Sequence, residues 1–148
     1  MKVSDPSESS GYVLWKLTHA MQQRMTGELA EVGLSLPQLG TLVHIARGDV
    51  VSTADLARTV LMTPQNMSLT VRRLEAEGHV VRRPHETHGR INRLELTPSG
   101  HRVLSRAITI LQKVENEMFH DLSGAERKTL VGRLRTALEN LQSTGDAR

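Results

Sequence analysis

One short β signal interrupts an otherwise helical sequence, and it constrains the fold more than any other feature. His79-Val80-Val81-Arg82-Arg83 is a strand-like run closed by Pro84, and Arg90 to Leu96 returns with Asn92, Leu94 and Leu96 on one side. Between them His85 to Gly89 is turn-forming. An isolated two-stranded hairpin is at best marginally stable in water, so this one must lie against helices. The chain is therefore expected to be mainly α with a small β-hairpin wing.

The helices read from their ends and stripes. Leu14, Thr18, Met21, Met25, Leu29 and Val32 recur at three- and four-residue steps in a long first helix that Gly33 stops. A second helix opens at Ser35-Leu36-Pro37, buries Leu39, Leu42, Val43 and Ala46, and ends at Gly48. Ser52 caps a short third helix with Ala54, Leu56, Ala57 and Val60 as its apolar side. Thr63-Pro64 opens a fourth that runs to about Glu77, with Gly78 as its stop. Thr97-Pro98 repeats that device before a long helix carrying Val103, Ala107, Leu111, Val114 and Met118. Ser123-Gly124-Ala125-Glu126 is a capping box that starts a last helix striped by Leu130, Leu134, Leu138 and Leu141.

Composition narrows the chemistry. Aromatics are 2% of the 148 residues (Tyr12, Trp15 and Phe119), so the core must rest on aliphatic side chains and Met. The chain has no Cys, which removes disulfides, thiolate nucleophiles and Cys-ligated zinc. The net charge of +3 says little, but all six basic residues from Arg72 to Arg93 are Arg, against three Glu. Arg matches phosphate and guanine edges with a planar fork. No apolar run has the length of a membrane span, and Met1 to Ser10 lacks the apolar region of a signal peptide. A cytoplasmic protein without a membrane partner is expected.

Helices three and four, joined by Leu61-Met62-Thr63 and followed by the hairpin, follow the winged helix-turn-helix plan. On the fourth helix Met67, Val71 and Leu74 form one face. Gln65, Leu69 and Arg72 form the other, flanked by Asn66, Ser68 and Arg73. Gln65 and Asn66 suit adenine, Arg72 or Arg73 suits guanine or phosphate, and Ser68 suits any base. Leu69 is either a contact to a thymine methyl or an ordinary exposed apolar residue. Arg82, Arg83, Arg90 and Arg93 make the hairpin basic, which fits a minor groove or simple solvation of surface charge. Ser35, Pro37 and Gln38 begin a helix whose N-terminus attracts phosphate.

Gly33 to Gly100 resembles the MarR family. The resemblance is carried by GLSLPQLGTLVHIARG, by MTPQNMSLTVRRLEAEGHV and by RINRLELTPSG, in that order. Within these, Leu74-Glu75-x-x-Gly78-x-Val80 matches the ending of the recognition helix. Arg90-x-x-x-Leu94-x-Leu96-Thr97-x-x-Gly100 matches the passage from wing to helix. The resemblance implies a winged helix-turn-helix with long N- and C-terminal dimerisation helices. Its segments would be a flexible tail (1–10), a dimerisation helix (11–33), a DNA-binding lobe (34–97), dimerisation helices (98–143) and a tail (144–148). It implies a homodimeric regulator, more often a repressor, on double-stranded DNA with a pseudo-palindromic operator. Arg90 would enter the minor groove, with Arg82, Arg83 and Arg93 on the backbone. It also implies release by a small aromatic or phenolic effector. The chain departs from the family at His88, where an Asp usually precedes the wing Arg, and at Leu69, where many members are polar. Lacking Cys, it also lacks the means of thiol sensing.

Tyr12, Trp15, His19 and His44 are candidates for an effector pocket, although packing in a dimer core explains them at least as well. The seven His form no metal-ligating motif: His85 and His88 share a turn, while His101 and His120 lie far apart on one helix. No nucleophile or phosphate-loop motif occurs. Neither an enzyme nor a metal or other cofactor is expected. The competing readings are a constitutive DNA architectural protein and a winged helix used for protein contacts.

Overall fold

The computed structural model describes residues 5–48, 52–84 and 92–145. His85, His88 and Arg90, with the turn between the strands, lie outside the described residues. Helix α1 spans Ser10–Ala30 and follows a 3-10 turn at Pro6–Glu8. The remaining elements, in order, are α2 (Leu36–Arg47), α3 (Thr53–Thr59), α4 (Pro64–Ala76), β1 (Val80–Pro84), β2 (Asn92–Leu96), α5 (Pro98–Met118) and α6 (Gly124–Gly145). The chain divides into two compact units, one up to Val114 and one from Glu115.

In the first unit the helix boundaries are set by side chains. Ser35 and Gln38 form a reciprocal capping box at α2, with the Ser35 N–H donating to Gln38 Oε1 at 2.8 Å. Ser52 Oγ accepts from the Asp55 N–H at α3, and Thr63 Oγ1 from the Asn66 N–H ahead of Pro64 at α4. The ends of α1 and α4 share one solution. Gly33 (φ +75°) and Gly78 (φ +72°) take the left-handed conformation, and the next N–H returns to the carbonyl five residues back: Leu34 to Leu29, His79 to Leu74.

Leu42, Leu56, Met67, Val71 and Leu74 are fully buried at the centre of this unit, with Met25 and Leu29 from α1 and Val103, Leu104 and Ala107 from α5. The buried faces of α2 and α3 differ in detail from the expected ones. Ile45 is buried and Ala46 exposed, and Ala54 is exposed beside buried Leu56 and Ala57. Positions 45 and 46 both lie within reach of the stripe through Leu42. The larger side chain takes the core because it removes more apolar surface from water.

The stripe of α1 is buried only at its C-terminal end: Met25 and Leu29 are covered, whereas Leu14 is 40% exposed. Glu28 ties this end to α5 through Lys113 Nζ at 3.2 Å. The hairpin is antiparallel, pairing Val80 with Leu96, Arg82 with Leu94 and Arg83 with Arg93. Val80, Arg82, Leu94 and Leu96 therefore share one face, with Val80 buried and both leucines half-buried.

In the second unit the Ser123–Glu126 capping box starts α6, and Arg127 donates to Asn116 Oδ1 at 2.8 Å and to the Phe119 carbonyl at 2.6 Å. The expected leucine stripe is present but uncovered: Leu134, Leu138 and Leu141 are 39%, 55% and 75% exposed.

Candidate nucleic-acid interface

The turn between α3 and α4 is built on an unusual residue. Leu61 has φ +56°, the only positive φ outside glycine among the described residues, and Met62 donates to the Ala57 carbonyl at 2.8 Å. This is the helix-ending geometry that glycine normally supplies, held here by a Leu that is 92% exposed. The turn delivers α4 with Met67, Thr70, Val71 and Leu74 buried. Gln65, Asn66, Leu69, Arg72 and Arg73 are exposed and Ser68 is half-buried. Arg72 Nε donates to the Ser68 carbonyl at 3.3 Å, laying the guanidinium along the helix surface.

The hairpin arginines divide into two kinds. Arg82 donates from Nε to Glu75 Oε1 at 2.7 Å and from a terminal nitrogen to Oε2 at 3.4 Å, bridging β1 to α4. Arg83 pairs with Glu95 at 3.3 Å on the opposite face. Arg93 is exposed and stands directly across from Arg83. Like charges facing across a ladder are unfavourable alone and become favourable when an anion lies over both. Arg73 and Arg93 pair with no carboxylate among the described residues. Among the described residues the wing thus offers fewer free cations than its composition suggests.

At the start of α2, Ser35 and Pro37 are exposed, but Gln38 is only 7% exposed. Its carbonyl caps Ser35, and its amide donates to Glu77 Oε2 at 3.0 Å. The Gln38 side chain is thus turned inward, where it holds α2 to the end of α4.

The aromatic candidates separate similarly. Tyr12, Trp15 and His19 form a ladder along α1, with centroids 5.8 Å and then 6.4 Å apart. Lys16 Nζ lies 5.8 Å from the Tyr12 centroid. Trp15 is 65% exposed, and Tyr12 borders a shallow hollow with Ser7, Val13, Lys16, Leu17 and Ala20. His44 is half-buried on α2, its Nδ1 enclosed without a hydrogen-bond partner, and it does not line that hollow. Among the described residues no group of three or more His, Cys, Asp or Glu is placed to hold a metal, and no helix is long and apolar enough to cross a membrane.

Sequence reasoning missed the junction behind the reading helix. Thr97 Oγ1 donates to the Gly78 carbonyl at 2.6 Å and the Thr97 N–H to the His79 carbonyl at 3.0 Å. A Cβ on Gly100 would lie 2.1 Å from that same His79 oxygen, so only glycine allows the approach. The Thr97-x-x-Gly100 spacing was visible, but its partner at Gly78-His79 was not.

A family model described as MarR family matches residues 32–91. The HTH-type transcriptional regulator YdcH of Bacillus subtilis is 30% identical over 122 residues, 80% of this chain and 83% of its own. The HTH-type transcriptional repressor Rv2887 of Mycobacterium tuberculosis is 27% identical over 118 residues, 80% of this chain and 85% of its own. The crystal structure of Rv2887 in complex with salicylic acid superposes with a TM-score of 0.72 at 25% identity, covering 90% of this chain and 98% of that one. CouR of Rhodococcus jostii RHA1 is a transcriptional repressor. Bound to a 23-mer DNA duplex, it superposes with a TM-score of 0.78 at 23% identity, covering 93% and 98%, and so shares the fold.

Proposed function

The chain belongs to the MarR family of winged helix-turn-helix transcriptional regulators, and from that membership we propose that it is a cytoplasmic homodimeric repressor released from a pseudo-palindromic operator by a small aromatic acid. The observation that carries the DNA reading is α4, apolar and buried on one face and lined by Gln65, Asn66, Leu69, Arg72 and Arg73 on the other. Gln65 and Asn66 supply amides for adenine, Arg72 a fork for guanine, and Leu69 an apolar contact for a thymine methyl. Arg73, Arg83 and Arg93 neutralise phosphate, and Ser35 and Pro37 bring the start of α2 to the backbone. Arg90 takes the minor groove by its match to the family pattern.

Dimerisation follows from the exposed leucines of α6 and the exposed apolar start of α1, which a second copy would cover. Two reading helices would then stand about one DNA turn apart, roughly 34 Å. The effector class rests on the salicylic acid complex of Rv2887 and on the Tyr12–Trp15–His19 ladder, with His44 as the polar group of a pocket completed in the dimer.

The test is fluorescence anisotropy with a duplex from upstream of the protein's own gene and an unrelated duplex, each at two salt concentrations. Specific binding at about 10 nM or tighter that survives competitor and weakens in salt is expected. Arg72→Ala should cost about 1–3 kcal/mol on the specific duplex. Salicylate should raise the melting temperature and release the DNA. Equal weak binding to both duplexes would favour a winged helix used for protein contacts. Specific binding untouched by any aromatic acid would favour a constitutive architectural protein.

A further inference from the structure

The Arg82–Glu75 pair deepens the DNA-binding reading, on which its functional consequence rests. We infer that Glu75 is a positioning residue of the reading surface, bracing the wing against α4 through Arg82, and that Arg82 does not contact DNA.

Three observations converge. Both ends of the Arg82 fork are engaged by both carboxylate oxygens of Glu75, the bidentate geometry that fixes orientation as well as distance. Arg82 also lies on the hairpin face it shares with buried Val80 and half-buried Leu94 and Leu96, so its stem is directed toward the helices. Finally, Glu75 follows Arg72 by three residues, a spacing at which acid and base on one helix attract each other. Glu75 instead pairs across to β1, and Arg72 rests on the Ser68 carbonyl at the outward face. One carboxylate thus fixes the wing and leaves the reading arginine unpaired with acid.

The experiment separates a brace from a contact. On the duplex that the wild type prefers, Glu75→Gln should weaken binding about fivefold to tenfold, although it removes a negative charge beside a polyanion. Arg82→Ala should weaken it similarly, with the slope of log K against log salt unchanged. The double variant should be no worse than either single one, because both remove the same interaction. Arg82→Lys keeps the charge, loses the fork and should behave like Arg82→Ala. Tighter binding by Glu75→Gln would overturn the inference, as would an Arg82→Ala slope reduced by about 0.9, the value of one phosphate contact.

A readout without DNA keeps this distinct from failure of the operator reading. Amide hydrogen exchange should quicken in residues 80–84 and 92–96 of Glu75→Gln while α2 and α6 stay unchanged. Unchanged exchange in the strands would overturn the brace even if the wild type bound no specific duplex.

Discussion

The α2–α4 lobe and α6 begin from the same devices and finish differently. Both have a serine-capped helix start, Ser52 with Asp55 in one and Ser123 with Glu126 in the other, and both carry apolar stripes of helical period. In the lobe the stripe ends as Leu56, Met67, Val71 and Leu74, all fully buried. In α6 it ends as Leu134, Leu138 and Leu141, all exposed in the single chain. Periodicity reports that a face will be covered, not which molecule covers it. The lobe completes its core within one chain, and α6 leaves its stripe exposed.

The contrast is open to direct attack, beginning with the largest effect. Leu74→Ala should cost about 2–5 kcal/mol of unfolding free energy, by an amount independent of protein concentration, because its core is internal. Leu134→Glu with Leu138→Glu should barely move a monomer but shift sedimentation from dimer to monomer at micromolar concentration. If that pair instead unfolds a chain that is already monomeric, the contrast fails.

A smaller effect tests how the lobe tolerates strain. Leu61 holds a left-handed conformation that costs a non-glycine residue about 1–2 kcal/mol, and the surrounding core supports it. Leu61→Asn should raise stability by about 0.5–1 kcal/mol in chemical denaturation, since Asn accepts that conformation more readily. Lower stability would mean that the exposed leucine packs on something in the dimer.

The smallest effect concerns the two caps. Hydrogen bonding from Ser52, with Arg58 assisting, holds Asp55 below its ordinary 3.8, and hydrogen bonding from Ser123 holds Glu126 below its ordinary 4.5. Both folded values are depressed, so each contribution is complete above the unfolded value and is lost as pH falls through the folded one. A carboxyl NMR titration should show both midpoints depressed, and Ser52→Ala and Ser123→Ala should each restore only their own neighbour. Equal behaviour would show that the caps are local and that burial alone distinguishes the two regions.

The same locality explains what was legible in advance. Ser35, Ser52, Thr63 and Ser123 announce helix starts because the groups they satisfy lie within three residues. The outward face of α4 follows from period alone. The partners of Gln38 and Arg82 do not: Glu77 stands 39 residues from Gln38, and Glu75 is set against Arg82 by the fold of a turn. Composition counted Arg82 and Arg83 alike as basic surface, whereas Glu75 holds both ends of the Arg82 fork and Arg83, with one contact to Glu95, stays exposed. Ile45 and Ala46 were equivalent by period and were separated by packing.

Gly100 gives the lobe a mechanical property. With no side chain to hold them apart, the first turn of α5 and the exit from α4 meet backbone to backbone and are clamped by Thr97. A joint without slack transmits angle rather than absorbing it. Bulk added at position 100 would therefore be felt at once by the exit of α4, with no gap to take it up.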